Sequence, residues 1–236
     1  MKGTATESQG AAIADRSAKA KLPLWLKLAY SGFMAVLIPV YLRNYGPTNF
    51  LYFCDTALVL TLVCIWTENK LLASMVAVGI LLPQFFWCVD FFCELLGIRL
   101  TGLTAYMFDS QRSLLLRGLS LFHGWLPFLL VYLILRLGYD RRGLKLWTIL
   151  AWVLCLVAFF FLPPAGATLA DPKLPLNVNL VFGFDDAHAQ TWMPQGLYVV
   201  VWMLALFLLA YLPTDFALRK LLPPANVAAF VPVQPE

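Results

Sequence analysis

Residues 198–212, YVVVWMLALFLLAYL, run for fifteen positions without a charged side chain, a glycine or a proline, and residues 151–162, AWVLCLVAFFFL, repeat the pattern. Neither stretch alternates polar with apolar residues. Alternation over about 10 residues would mark a transmembrane β-strand. An unbroken apolar run has to satisfy its backbone groups within itself before it can sit in lipid, and a helix does so. A bilayer core of roughly 30 Å takes about 20 such residues as helix.

Working outward from these two runs, spans are predicted at about residues 22–42, 49–67, 71–96, 116–137, 144–162 and 193–212. The predicted fold class is all-α, a polytopic transmembrane helix bundle of six spans occupying residues 22–212. Residues 163–192 form its longest connection. Residues 1–21, polar and carrying Lys2, Arg16, Lys19 and Lys21, read as a flexible tail, and the proline density of 213–236 reads as a second tail. The whole chain agrees with this reading: of 236 residues 61% are hydrophobic and only 13% charged, with a mean hydropathy of +0.77. A soluble domain typically carries about 25% charged residues, so an ordinary soluble enzyme is excluded. Disorder, which needs low hydrophobicity, is excluded as well, and 5 cysteines are too few for a disulfide scaffold.

Lysine and arginine accumulate in cytoplasmic segments. With the amino terminus inside, twelve of the 17 basic residues fall on the inner side, and Arg43, Arg99, Arg112, Arg117 and Lys173 make up the five outside. Both termini are therefore expected in the cytoplasm, and the net charge of +4 calls for no nucleic acid, since membrane lipids account for it. The long connections then lie outside, where loops of this length tend to bind or cover ligands. Trp25, Tyr41, Tyr45, Trp66, Trp147, Trp192 and Tyr211 fall near the predicted interfaces as anchors.

Ionisable groups inside an apolar span are costly and usually face protein or water. Asp55 is expected six residues into the second span, Asp90 and Glu94 one turn apart in the third, and His123 near the outer end of the fourth. All four fall at one depth. Asp90, Glu94 and His123 are the candidate catalytic residues, two carboxylates on one helical face beside an imidazole. Asp55, Asp109, Arg117 and Trp192 are candidate substrate or ion ligands, and Asp55, Asp90 and His123 together could hold a divalent cation through oxygen and nitrogen. The same carboxylates could instead pair with Arg43, Arg117 or backbone groups and fix helix packing. Pro127 lacks the N–H that would bond the carbonyl of His123, so an acceptor is freed at the position of the imidazole.

Two histidines cannot build a three-histidine zinc centre, and the chain holds no HExxH, GxSxG or GxxxxGK[ST] motif. Cys54, Cys64, Cys88, Cys93 and Cys155 lie in or near spans and read as small buried hydrophobes, with a thiol nucleophile at Cys88 or Cys93 as the minor reading.

Six runs, NYGPTNFLYFCD at 44–55, LTAYMFDSQ at 103–111, LSLFHGWLP at 119–127, LGYDRRGL at 137–144, QTWMP at 190–194 and YLPT at 211–214, resemble a family of bacterial multipass integral membrane proteins of uncharacterised activity. Serine often stands in that family where this chain has Cys54, which argues against a thiol role there, and histidine where it has Asp215. The resemblance implies a bacterial inner membrane and no particular chemistry. Three functions stay open: an enzyme acting on a lipid, lipid-linked or small-molecule substrate; a proton- or cation-coupled transporter; and an accessory subunit without chemistry. No paired, interrupted spans in matching halves favour the transporter.

Overall fold

The computed structural model describes residues 22–171 and 173–222, so the predicted tail at 1–21 and the end of the chain from 223 lie outside the described residues. Six helical rods make up the bundle: α1 (Leu24–Tyr45), α2 (Phe53–Thr67), α3 (Lys70–Leu95), α4 (Leu114–Leu137), α5 (Arg142–Phe161) and α6 (Gln195–Leu221). No strand occurs among the described residues. Five of the six rods are long and apolar enough to cross a membrane, and α2 is a shorter apolar helix of 15 residues. It starts later than the expected 49 because Pro47–Leu51 winds into a 3-10 turn and Tyr52 is extended. At 1.5 Å per residue α2 is only about 22 Å long.

Local chemistry sets the element ends. The α2–α3 turn has Glu68 in the left-handed region, and Asn69 caps α3 by accepting from the N–H groups of Leu71 and Leu72. This turn is tied to the start of α1, where Lys27 donates to Glu68 at 2.7 Å. Ser113 caps α4 through the N–H of Leu116.

Helix α3 is the centre of the bundle, and residues 73–80 are buried without interruption. Small residues let its neighbours approach closely. A Cβ at Gly79 would lie 1.7 Å from Trp147 Cε2, and one at Gly143 of α5 would lie 2.8 Å from the backbone carbon of Ser74. Glycine is required at both crossings of α3 with α5. Ser74 Oγ also accepts from the N–H of Asp140 at 2.8 Å, fixing the α4–α5 turn to α3.

Trp147, Tyr211 and Tyr41 differ from expectation. Each is a buried packing residue rather than an interface anchor, whereas Trp25, Trp66 and Trp192 are exposed. Near-interface position along a helix does not say which face a ring occupies, and Trp147 turns inward because Gly79 leaves room for its indole.

Two rods are interrupted. Helix α4 breaks at Leu121, between Leu114–Ser120 and Phe122–Leu137. Helix α6 contains a π turn, Phe207–Tyr211, and continues as Leu212–Leu221, beyond the expected end at 212. Pro213 cannot donate to the carbonyl one turn back and its ring would crowd that carbonyl, and a π turn placed just before it opens the spacing. The carboxyl half of α6 packs on α3 and its amino half on α5.

Candidate functional site

A half-open cavity of about 760 Å³ lies among α1, α2, α3, α4 and α6, with residues 173–176 and 179–180 of the long connection in its wall. Much of the lining is apolar. Several lining residues are exposed: Phe86 of α3 and Leu209 of α6, 59% and 72% exposed, on the flank of the bundle, and Leu103, Lys173 and Asp186 at the loop end.

His123 is placed in this cavity by the break at Leu121, and its ring stacks between Trp87 and Phe122 with centroids 4.7 and 4.1 Å away. Nδ1 stands 2.8 Å from Gln84 Oε1. With Gln84 Oε1 as the acceptor, a neutral ring donates from Nδ1 and leaves the lone pair on Nε2. The carbonyl freed by Pro127 is taken by the Cys88 thiol at 3.7 Å. Cys88 therefore acts there as a donor.

Asp55 lies in the first turn of α2, not deep in it, and lines the same cavity. A carboxylate is favoured at this end of a helix by the aligned backbone dipoles. Oδ2 accepts from Asn49 Nδ2 at 3.0 Å and from the Cys54 thiol at 3.8 Å, and Oδ1, although buried, has no protein partner. The start of α2 is held by a distant residue: Asn179 Oδ1 accepts from the N–H of Phe53 at 3.0 Å, and Asn179 Nδ2 donates to the carbonyl of Leu51 at 2.9 Å. Asn177, fully buried, organises the same loop by donating to the carbonyl of Gly183 and accepting from the N–H of Phe182.

Charged groups gather at the loop end of the cavity. Arg112 donates through Nη1 to Tyr45 Oη at 3.1 Å and lies over the rings of Tyr106 and Tyr45. Lys173 lines the same region, as does Asp186, whose carboxyl is pushed above the usual range by burial.

The expected layer of Asp55, Asp90, Glu94 and His123 is thus only partly assembled. Asp55 and His123 share the cavity, and Asp90 and Glu94 are not among its lining residues. Asp90 is buried against the α3–α4 connection, where Oδ1 accepts from the N–H and hydroxyl of Thr101 and Oδ2 from those of Thr104, all at 2.7–2.9 Å. Four donors saturate that carboxylate. Glu94 keeps a buried Oε2 without a partner. Asp109 caps a turn through the N–H of Gln111 and stands 3.9 Å from Arg112. Arg117 donates to the carbonyl of Met107, and Trp192 is exposed against Tyr198. None of these three lines the cavity. Among the described residues no three His, Cys, Asp or Glu side chains are grouped so as to hold a metal ion. Asp55, Asp90 and His123 are thus not brought together, because depth along a helix leaves the angle around it open and Asp90 is bonded to its own loop.

Asn49, Gln84, Ser120, Tyr41 and Tyr106 also line the cavity. The signal that could have found Gln84 is that uncharged polar residues inside an apolar span need partners as much as ionisable ones do. No protein-family model, curated protein or solved structure matches the chain, so the chemistry of this cavity is what speaks for its use.

Proposed function

We propose that the chain is an integral membrane protein of a bacterial inner membrane, with both termini cytoplasmic, that admits a lipid or lipid-linked molecule sideways into the cavity and acts on it as an enzyme. One observation carries this reading: a largely apolar cavity whose lining includes the exposed flank residues Phe86 and Leu209 also contains Asp55 and His123. Apolar walls with a few convergent polar groups are the usual make-up of small-molecule sites. Asp55, with an uncommitted Oδ1, and His123, with its lone pair on Nε2, supply a carboxyl group and a base for proton transfer. Gln84 and Asn49 orient them.

The test is turnover of a total membrane lipid extract by the purified full chain, followed by mass spectrometry. New products that disappear in both Asp55→Asn and His123→Ala support the enzyme. Products formed at unchanged rate by both variants would remove these residues from the mechanism, and no product at all would refute catalysis on lipids. A reporter fused after Lys173 checks the orientation and should read as non-cytoplasmic.

A proton- or cation-coupled transporter is the second reading, favoured by the break at Leu121 and the π turn Phe207–Tyr211, because interrupted helices beside a cavity are a feature of such proteins. It predicts pH-dependent flux in proteoliposomes that is lost in Asp55→Asn.

A further inference from the structure

The loop end of the cavity differs in chemistry from its side. Arg112 gives one N–H to Tyr45 and approaches Asp109 only to 3.9 Å, so most of its donors are uncommitted. The Tyr106 and Tyr45 rings hold the guanidinium in place at 5.4 and 5.9 Å. Lys173 brings a second cation to the same cavity and has no ion pair among the described residues. Two carboxylates stand near this end: Asp109, 3.9 Å from Arg112, and Asp186, which is exposed and feels the Arg112 charge, so a phosphate would share the guanidinium with them. Toward the side the lining turns apolar, through Ala205, Leu206 and Leu209 of α6 and Phe86 of α3. A planar guanidinium and an ammonium lining one cavity offer charge and donors for the oxygens of a phosphate, which the arginine fork can engage in bidentate fashion. The apolar slot matches an aliphatic chain that leaves the bundle sideways.

We propose that the cavity binds a phosphate group carried on an aliphatic chain, with the phosphate between Arg112 and Lys173 and the chain along Ala205, Leu206 and Leu209 to the opening beside Phe86. This rests on the lipid-directed reading of the cavity and names the substrate class for it. A neutral lipid leaves Lys173 without an ion pair and the free Arg112 donors unused. A free phosphate leaves the apolar slot empty.

Native mass spectrometry of the full chain in non-ionic detergent tests this with three probes: dioleoyl phosphatidate, dioleoylglycerol and inorganic phosphate. The wild type should hold phosphatidate at least about tenfold more tightly than either of the others, the scale of a charge-assisted hydrogen bond lost. Arg112→Gln with Lys173→Gln should bring phosphatidate down to the level of dioleoylglycerol, and Arg112→Lys, which keeps the charge, should lose far less. Ala205→Trp, which fills the slot, should weaken both lipids while inorganic phosphate is unaffected. If both lipids bind equally and the double variant changes nothing, the phosphate assignment is wrong and the cavity reading stands. If inorganic phosphate binds as tightly as phosphatidate, the site takes a free anion and the chain assignment is wrong. If neither lipid is affected by Ala205→Trp, both the cavity reading and this proposal fail.

Discussion

Replacing Asp90 with asparagine distinguishes a structural carboxylate from a catalytic one. In the wild type each oxygen takes one backbone N–H and one hydroxyl, from Thr101 at Oδ1 and from Thr104 at Oδ2. Asparagine keeps one oxygen and puts an NH2 group at the other. The facing hydroxyl can turn and accept from that NH2, but the facing backbone N–H meets another donor and stays unpaired. Leaving a buried donor unsatisfied costs about 1–3 kcal/mol. The surviving bonds also pass from a charged to a neutral acceptor, a loss of roughly 1 kcal/mol more. Asp90→Asn should therefore destabilise the chain by about 2–4 kcal/mol, and Asp90→Ala, which strands all four donors, by more. Denaturant unfolding in detergent measures the total, and hydrogen exchange at the Thr101 and Thr104 amides reads the local part. Both amides should lose protection. An asparagine variant with unchanged stability and unchanged protection, but without lipid turnover, would refute this account and return Asp90 to the chemistry.

Gly79→Ala should destabilise by about 1–3 kcal/mol through overpacking despite a helix-propensity gain of about 1 kcal/mol, since the added carbon would meet a fully buried Trp147; unfolding measurements on the variant check it. Asp140 is held at about 2 chiefly by its hydrogen bonds with Arg142. Its folded value lies below the unfolded value near 3.9, so its stabilisation is fully present above that value and is lost as pH falls through about 2. Unfolding temperatures measured across that acid range should fall less steeply in Asp140→Asn than in the wild type. Asn179→Ala removes two bonds from the start of α2 and should cost about 1–3 kcal/mol, seen as faster hydrogen exchange at Phe53.

Unbroken apolar length made the bundle legible, because lipid imposes one solution on such a run. Interruptions were legible only in part. Pro127 signalled the acceptor freed at His123, but nothing in the run LFHG announced a break at Leu121, and the helix continued past Pro213 because a π turn absorbed it. For the site, depth was readable and angle was not. Asp55 and His123 converge, while Asp90, at the same expected depth, turns toward Thr101 and Thr104. The hydrogen-bond demand of that connection depends on a loop shape set by tertiary contacts, which no periodicity encodes. Gln84 went unread because attention to charge passes over neutral amides, and the partnership of Asn179 with Phe53 joins positions more than a hundred residues apart.

The clasp of Asn179 on α2 constrains how the cavity exchanges its contents. The loop that carries Asn179 also forms part of the cavity wall, so lifting it breaks two hydrogen bonds and bares the first turn of α2, where Asp55 sits. Opening the cavity at this loop would therefore fray the helix end that positions Asp55. On the flank, Phe86 of α3 and Leu209 of α6 line the cavity while exposed, and side chains of that kind change rotamer in picoseconds to nanoseconds. The loop is thus a structural tie as well as a wall: what holds the first turn of α2 in place is a residue of the connection that lines the cavity.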